Sequence, residues 1–160
     1  MNKTVSLNLS TEAIMSEIYA LSALRSLSNG DESRPPILTR DRAPALKILI
    51  RDAFAFIVLK IIRYVERCNI NEVSQSTTDD DNEILSVDLK VCSDVTDTAA
   101  KSMQQSLNHC ISAYALHICY MGHDNATSEQ YEHITNAEVA VLQQLLSLTS
   151  YREVNISPRY

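Results

Sequence analysis

Residues 94–122 read DVTDTAAKSMQQSLNHCISAYALHICYMG, and this stretch decides the fold. Met103, Leu107, Cys110, Tyr114, His117 and Met121 recur at steps of four and three. That spacing sets side chains along one helix face and makes a bundle seam. Asp94 and Asp97 favour the positive end of such a helix. Gly122 stands just past its other end, where a left-handed backbone carries no Cβ clash. The pattern predicts a helix over 94–121. The chain's only other glycine, Gly30, follows Asn29 in the same relation to an earlier helical stretch. With both glycines at helix ends, none is left for a phosphate-cradling loop, a dinucleotide turn or a nucleophile elbow.

Working outward, Thr127-Ser128-Glu129-Gln130 has the form of a capping box. It opens a fourth helix with Tyr131, Ile134, Ala137, Val141, Leu145 and Leu148 on one face. On the N-terminal side, Leu85, Val87, Leu89 and Val91 alternate with Ser86, Asp88 and Lys90, a strand with one buried face. The polar run 71–82 before it suggests a hairpin or extended loop with an acidic tip near Asp80. A second helix is predicted from Asp41, a good cap, to Cys68, with Pro44 in its first turn. Leu46, Leu49, Ile50, Phe54, Ile57, Ile61 and Val65 make it apolar nearly all round, as the central helix of a bundle would be. Pro35 and Pro36 break the chain before it. A first helix is predicted over 11–29, capped by Ser10 or Thr11, with the stripe Ile14, Ile18, Leu21, Leu24 and Leu27. Residues 4–9 alternate polar and apolar, as a short strand or an extended arm does.

These elements add up to one mostly α domain, a four-helix bundle with a small β-hairpin inserted near 70–92. It carries extended arms at 1–10 and 150–160. At 160 residues the chain is long enough for one sizeable core. Its apolar share of 45% suits a globular protein. The net charge of −6 disfavours general nucleic-acid binding, which needs a basic face, but suits a channel through which DNA slides. Cys68, Cys92, Cys110 and Cys119 form no C-x-x-C pair and read as reduced thiols. No secretory leader is expected in residues 1–10. The apolar run Ala53–Leu59 is far short of the roughly 20 residues of a membrane span.

The chemistry-bearing residues fit no catalytic or metal frame, so neither a cofactor nor a metal is expected. His109 and His117 lie eight positions apart on one helix, and Cys110 and His117 seven. Neither pair matches the i, i+4 zinc spacing. Asp79, Asp80, Asp81, Asn82 and Glu83 resemble the start of a calcium loop. The sixth position, however, is Ile84 where glycine is needed, and the twelfth is Lys90 where glutamate is needed. The acidic tip, including Glu83, then reads as a charged projection. Arg63 and Arg67, one turn apart on the predicted second helix and sharing a face with Lys60, are candidate interface residues. The last ten residues keep Tyr151, Arg152, Val154, Ile156 and Tyr160, the composition of a strap lying on a neighbour.

The order of these pieces resembles the small helical connector, or neck, proteins of tailed bacteriophages. The stretches that carry the likeness are Glu17–Arg25 (EIYALSALR), Leu49–Phe54 (LIRDAF) leading to Tyr64 and Val65, the strand Leu85–Val91, the long third helix, and the helix-plus-tail from Leu145 to Tyr160. The resemblance implies a non-enzymatic virion protein, made in the host cytoplasm. It would form a ring of twelve copies below the portal, contact the portal and neighbouring tail proteins, and let DNA pass without specific binding. The hairpin tip and both arms would be its contact elements. Two other readings stay open on the residues alone. One is a small cytoplasmic adaptor that takes a partner helix in a groove. The other is a ligand- or metal-binding bundle centred on Cys110, Tyr114 and His117.

Overall fold

The computed structural model describes residues 2–29, 34–69 and 83–149. Within them the chain runs β1 (Asn2–Ser10), α1 (Thr11–Asn29), α2 (Ala43–Lys60), β2 (Val65–Cys68), β3 (Ile84–Cys92), α3 (Asp97–Tyr120) and α4 (Asn125–Thr149). Short 3-10 turns occupy Pro36–Leu38, Arg40–Arg42 and Ile62–Tyr64. The molecule is mostly helical, with a small antiparallel sheet.

The sheet order is β1-β3-β2. β1 pairs with β3 along its whole length, from Asn2 opposite Cys92 to Ser10 opposite Ile84. Leu7 and Leu9 of β1 join Leu85, Val87, Leu89 and Val91 of β3 on one buried face. The N-terminal stretch is therefore a strand of the chain's own sheet, and the expectation of an extended arm at 1–10 is corrected. Burial of two leucines, each contributing about 1.5–3 kcal/mol, together with a full ladder of backbone hydrogen bonds, holds it there. The opposite face is polar, and Thr4 donates to Glu66 Oε2 at 2.6 Å across β3. β2 and β3 are antiparallel neighbours, as a hairpin requires, with a register shift between Val65 and Arg67.

α2 is shorter than predicted. It ends at Lys60, passes through a 3-10 turn and becomes β2. Val65, Tyr64 and Ile61 are β-branched or aromatic, and pairing with β3 outweighs helical continuation there. Asp41 does not cap α2; it lies inside the Arg40–Arg42 turn, and Arg42 takes the cap position with no side-chain bond.

The central helix is α3, not α2. Met103, Leu107, Cys110, Ile111, Leu116 and Tyr120 are buried around its circumference. It packs against α1, α2, α4 and β1. Phe56 of α2 stacks on Tyr114 of α3, with centroids 4.2 Å apart and planes 8° from parallel. α3 starts at Asp97, three residues later than read, because Thr96 caps it by accepting from the Ala99 N–H. Gly122, at φ +78°, stands just past the end of α3, as its position in the sequence predicts. Ser10 Oγ accepts from the Ala13 N–H at the start of α1, also as foreseen.

Candidate interaction surface

Three helices carry apolar side chains on the side away from the core. Beyond its first turn, with Thr127 and Ser128 buried there, α4 buries Tyr131, Thr135, Val139, Leu142 and Leu146. Ile134, Val141 and Leu148, all read as core, are exposed, Leu148 at 75%. Successive members are seven residues apart. A seven-residue step drifts only about 20° around a helix, so the three form one stripe. The face is turned because α4 holds two seams of similar spacing. The buried one includes Thr135, whose hydroxyl is satisfied there by donating to the Tyr131 carbonyl at 2.8 Å.

α1 shows the same inversion. Ile14 and Ile18 are buried as predicted, but Ser22 and Ser26 follow them into the interior, while Leu24 and Leu27 are 62% and 85% exposed. Ser22 lies 3.4 Å from the Tyr120 hydroxyl, and Ser26 donates to the Ser22 carbonyl at 3.0 Å. Tyr120 and Tyr131, with centroids 5.9 Å apart, take the volume leucines would have needed. On α2, Ile48 and Leu59 are exposed, as is Ile62 in the 3-10 turn that follows the helix. One exposed leucine is ordinary on any surface; aligned rows on three helices are not.

The residues singled out from sequence lie elsewhere or have other partners. Asp79, Asp80 and Asp81, and Tyr151, Arg152, Val154, Ile156 and Tyr160, fall outside the described residues. Glu83 is no projecting acid. The Arg51 guanidinium of α2 holds it, with Nε 3.0 and 2.9 Å from its two oxygens and Nη2 2.9 Å from Oε2. Its carbonyl also accepts from the Thr11 N–H. Glu83 thus pins the start of β3 to α1 and α2. Arg63 is exposed in the 3-10 turn and Arg67 is exposed on β2, so the two do not share a helix face with Lys60. Arg67 lines a shallow polar depression with Cys68, Asn69, Ser86 and Asp88.

Two of the four histidines, His109 and His117, act as struts. Glu17 of α1 takes the His109 Nδ1–H at 2.6 Å and the Ser112 hydroxyl at 3.0 Å, bracketing α1 to α3. In a nucleophilic relay the imidazole stands between hydroxyl and carboxylate. Here the carboxylate stands in the middle. His117 Nδ1 lies 3.0 Å from both the carbonyl and the hydroxyl of Ser128, and that hydroxyl donates to the His117 carbonyl at 2.9 Å. The carbonyl only accepts, so Nδ1 carries the proton.

Asp124 caps α4 through the Thr127 hydroxyl and N–H. The cap is thus three residues earlier than Thr127, to which the sequence pattern assigns that role. The Thr127 hydroxyl, then its N–H, hold the Asp124 carboxyl below the usual range, with Arg25 adding a smaller pull. Arg25 also donates to Gln130 at 2.9 Å, tying α1 to α4. Burial pushes the Cys110 and Cys119 thiols up to about 12. Among the described residues, no three His, Cys, Asp or Glu side chains converge as a metal site, and no helix is long and apolar enough to cross a membrane. No family model, curated protein or solved structure matches the chain.

Proposed function

We propose that this chain is a structural subunit that assembles with copies of itself, as the connector proteins of tailed bacteriophages do, in a ring below the portal around the DNA channel. The observation that carries this reading is the set of apolar rows on α1, α2 and α4. Covering a leucine, isoleucine or valine contributes about 1.5–3 kcal/mol when it is fully exposed beforehand. Association costs about 4–15 kcal/mol. One row of three part-exposed residues falls short of that, whereas two rows meeting in register reach it. The net charge of −6 suits a lumen that repels DNA. The contacts of Glu17 with His109 and Ser112, and of His117 with Ser128, brace one helix to another, in keeping with a scaffold. On this reading the protein resides in the virion neck, its neighbours being further copies, the portal and the adjoining tail protein. Residues 150–160 supply a contact strap.

Mass photometry and negative-stain imaging of the purified chain, alone and with a portal ring, test the proposal. Rings whose mass is a multiple of 17.9 kDa are expected. A chain that remains a monomer in both conditions overturns it. So does a chain that binds only an isolated partner helix, which would favour the adaptor reading.

A further inference from the structure

A ring closed by head-to-tail contacts needs two different elements on each copy, one that presents and one that receives. Resting on the ring reading, we infer that the receiver is the outer edge of β1. The presenter is the segment 153–157 of the neighbouring copy, which adds an antiparallel fourth strand to the sheet.

Three observations carry the pairing. The first is an edge with open backbone groups. The Thr11 N–H donates to the Glu83 carbonyl in the register of the β1–β3 ladder. Along an antiparallel ladder, bonded and unbonded pairs alternate. Leu9, Leu7 and Val5 therefore turn their N–H and C=O toward β3, while Asn8, Ser6 and Thr4 turn theirs outward. Gln104 of α3 reaches the outward Asn8 carbonyl at 2.8 Å. Among the described residues, nothing bonds the outward N–H and C=O of Ser6 and Thr4. Edge strands are ordinarily blunted by a bulge, a proline or several charges. β1 pairs with β3 without a bulge, holds no proline, and has Lys3 as its one charge.

The second observation is the state of the core face along this edge. Leu7 and Leu9 are buried, whereas Val5 on the same face is half-buried. A further strand with apolar side chains on that face would cover it.

The third is the sequence of the segment, which lies outside the described residues. Val154 and Ile156 alternate with Glu153, Asn155 and Ser157. β1 has the same order in Thr4, Val5, Ser6, Leu7 and Asn8. Directly opposed residues put their side chains on one face of a sheet. Matching apolar to apolar sets Val154 and Ile156 beside Leu7 and Val5, with Asn155 opposite Ser6 and Ser157 opposite Thr4. Asn155 and Ser157 then supply the backbone groups that bond β1. The next residue, Pro158, has no N–H. In the antiparallel arrangement its nitrogen faces away from β1 and no bond is lost. A parallel arrangement would turn it toward the edge, together with Val154 and Ile156. The proline selects the antiparallel direction.

The test uses the full chain in two ways. In one, Cys68→Ser and Cys92→Ser are combined with Ser6→Cys in one preparation and Asn155→Cys in another, each matching the melting curve of its parent. A short bis-maleimide is expected to couple the mixture and leave either preparation alone uncoupled. In the other, an excess of a synthetic peptide of residues 150–160 is expected to break up assemblies of the unaltered chain. N-methylation of the peptide at Asn155, whose N–H faces β1, weakens that competition about tenfold, and N-methylation at Ile156, whose N–H faces away, leaves it unchanged. Ser6→Pro removes an outward N–H and no ladder bond, so it weakens assembly by a similar factor and leaves melting of the monomer unaltered. Coupling of Ser6→Cys to itself at equal yield overturns the inference in favour of β1 pairing with β1. A chain carrying both cysteines that couples only within itself overturns it in favour of the segment covering its own β1. Rings by mass photometry that respond neither to the peptide nor to Ser6→Pro also overturn it, and leave the ring reading standing. A chain that is monomeric alone and with the portal overturns both.

Discussion

Ser22 and Ser26 occupy interior positions on α1 while Leu24 and Leu27 of the same helix face solvent. Ser22→Leu would drive a branched side chain into the space held by Tyr120. An overpacked core of this kind loses about 1–3 kcal/mol. Leu27→Ser, on the outer face, should shift stability by no more than about 0.5 kcal/mol. Urea unfolding of both variants measures the contrast, and the reverse order would refute the contact geometry on α1. The two buried thiols predict alkaline behaviour. Cys110 and Cys119 ionise near 12 in the folded chain and at 9.0 when exposed. The unfolded state therefore loses their protons first. Their contribution to stability is complete below pH 9.0, declines as pH rises through 9.0, and is gone above about 12. Cys110→Ala together with Cys119→Ala should flatten that decline in a pH series of unfolding midpoints. The same pair should resist thiol reagents in the native state and react on unfolding.

At the level of elements, the α3–α4 hairpin depends on its four-residue turn. Gly122 has open space around a would-be Cβ, but its φ of +78° is costly for any other L-residue. Gly122→Ala should lower stability by about 1–2 kcal/mol through backbone strain alone. Gly122→Asn should cost less, because asparagine tolerates that conformation. Asp124 then starts α4, and removing its cap with Asp124→Ala should cost about 1 kcal/mol. Its folded carboxyl lies below the ordinary range, so the cap stabilises fully above that range. The contribution is lost as pH falls through the lowered value. Asp124→Asn should keep most of the cap and lose the acid dependence, a difference that acid unfolding by circular dichroism resolves. The alternation in β3, the glycine at the end of α3 and the serine before α1 were legible because each is local: periodicity or one backbone position decides it. The end of α2 was not. Whether Val65–Cys68 continues a helix or joins a sheet depends on β3, nineteen residues further along.

For the whole molecule, the row on α4 separates folding from assembly. Val141→Glu with Leu148→Glu places charge on a surface already open to water, so melting of the monomer should change little. Burying the same glutamates in a subunit contact would leave them unpaired, and assembly should be lost. Light scattering of the variant beside the parent decides this; a variant that assembles like its parent would remove α4 from the contact.

The sequence by itself determined the class of fold, the number and order of the main helices, the strand over 85–91 and the turn at Gly122, all set by short-range periodicity and backbone preference. It also marked out the exposed row on α4, but as core, because helical spacing specifies an apolar face without specifying which neighbour covers it. Only the tertiary structure decided that α3 lies at the centre and that β1 closes the sheet as its edge strand. It alone placed Ser22 and Ser26 inward and left Leu27, Val141 and Leu148 outward. Those outcomes rest on volume and on the pairing of distant segments: two tyrosine rings and a nine-residue ladder occupy the interior, and the remaining apolar side chains are left facing solvent.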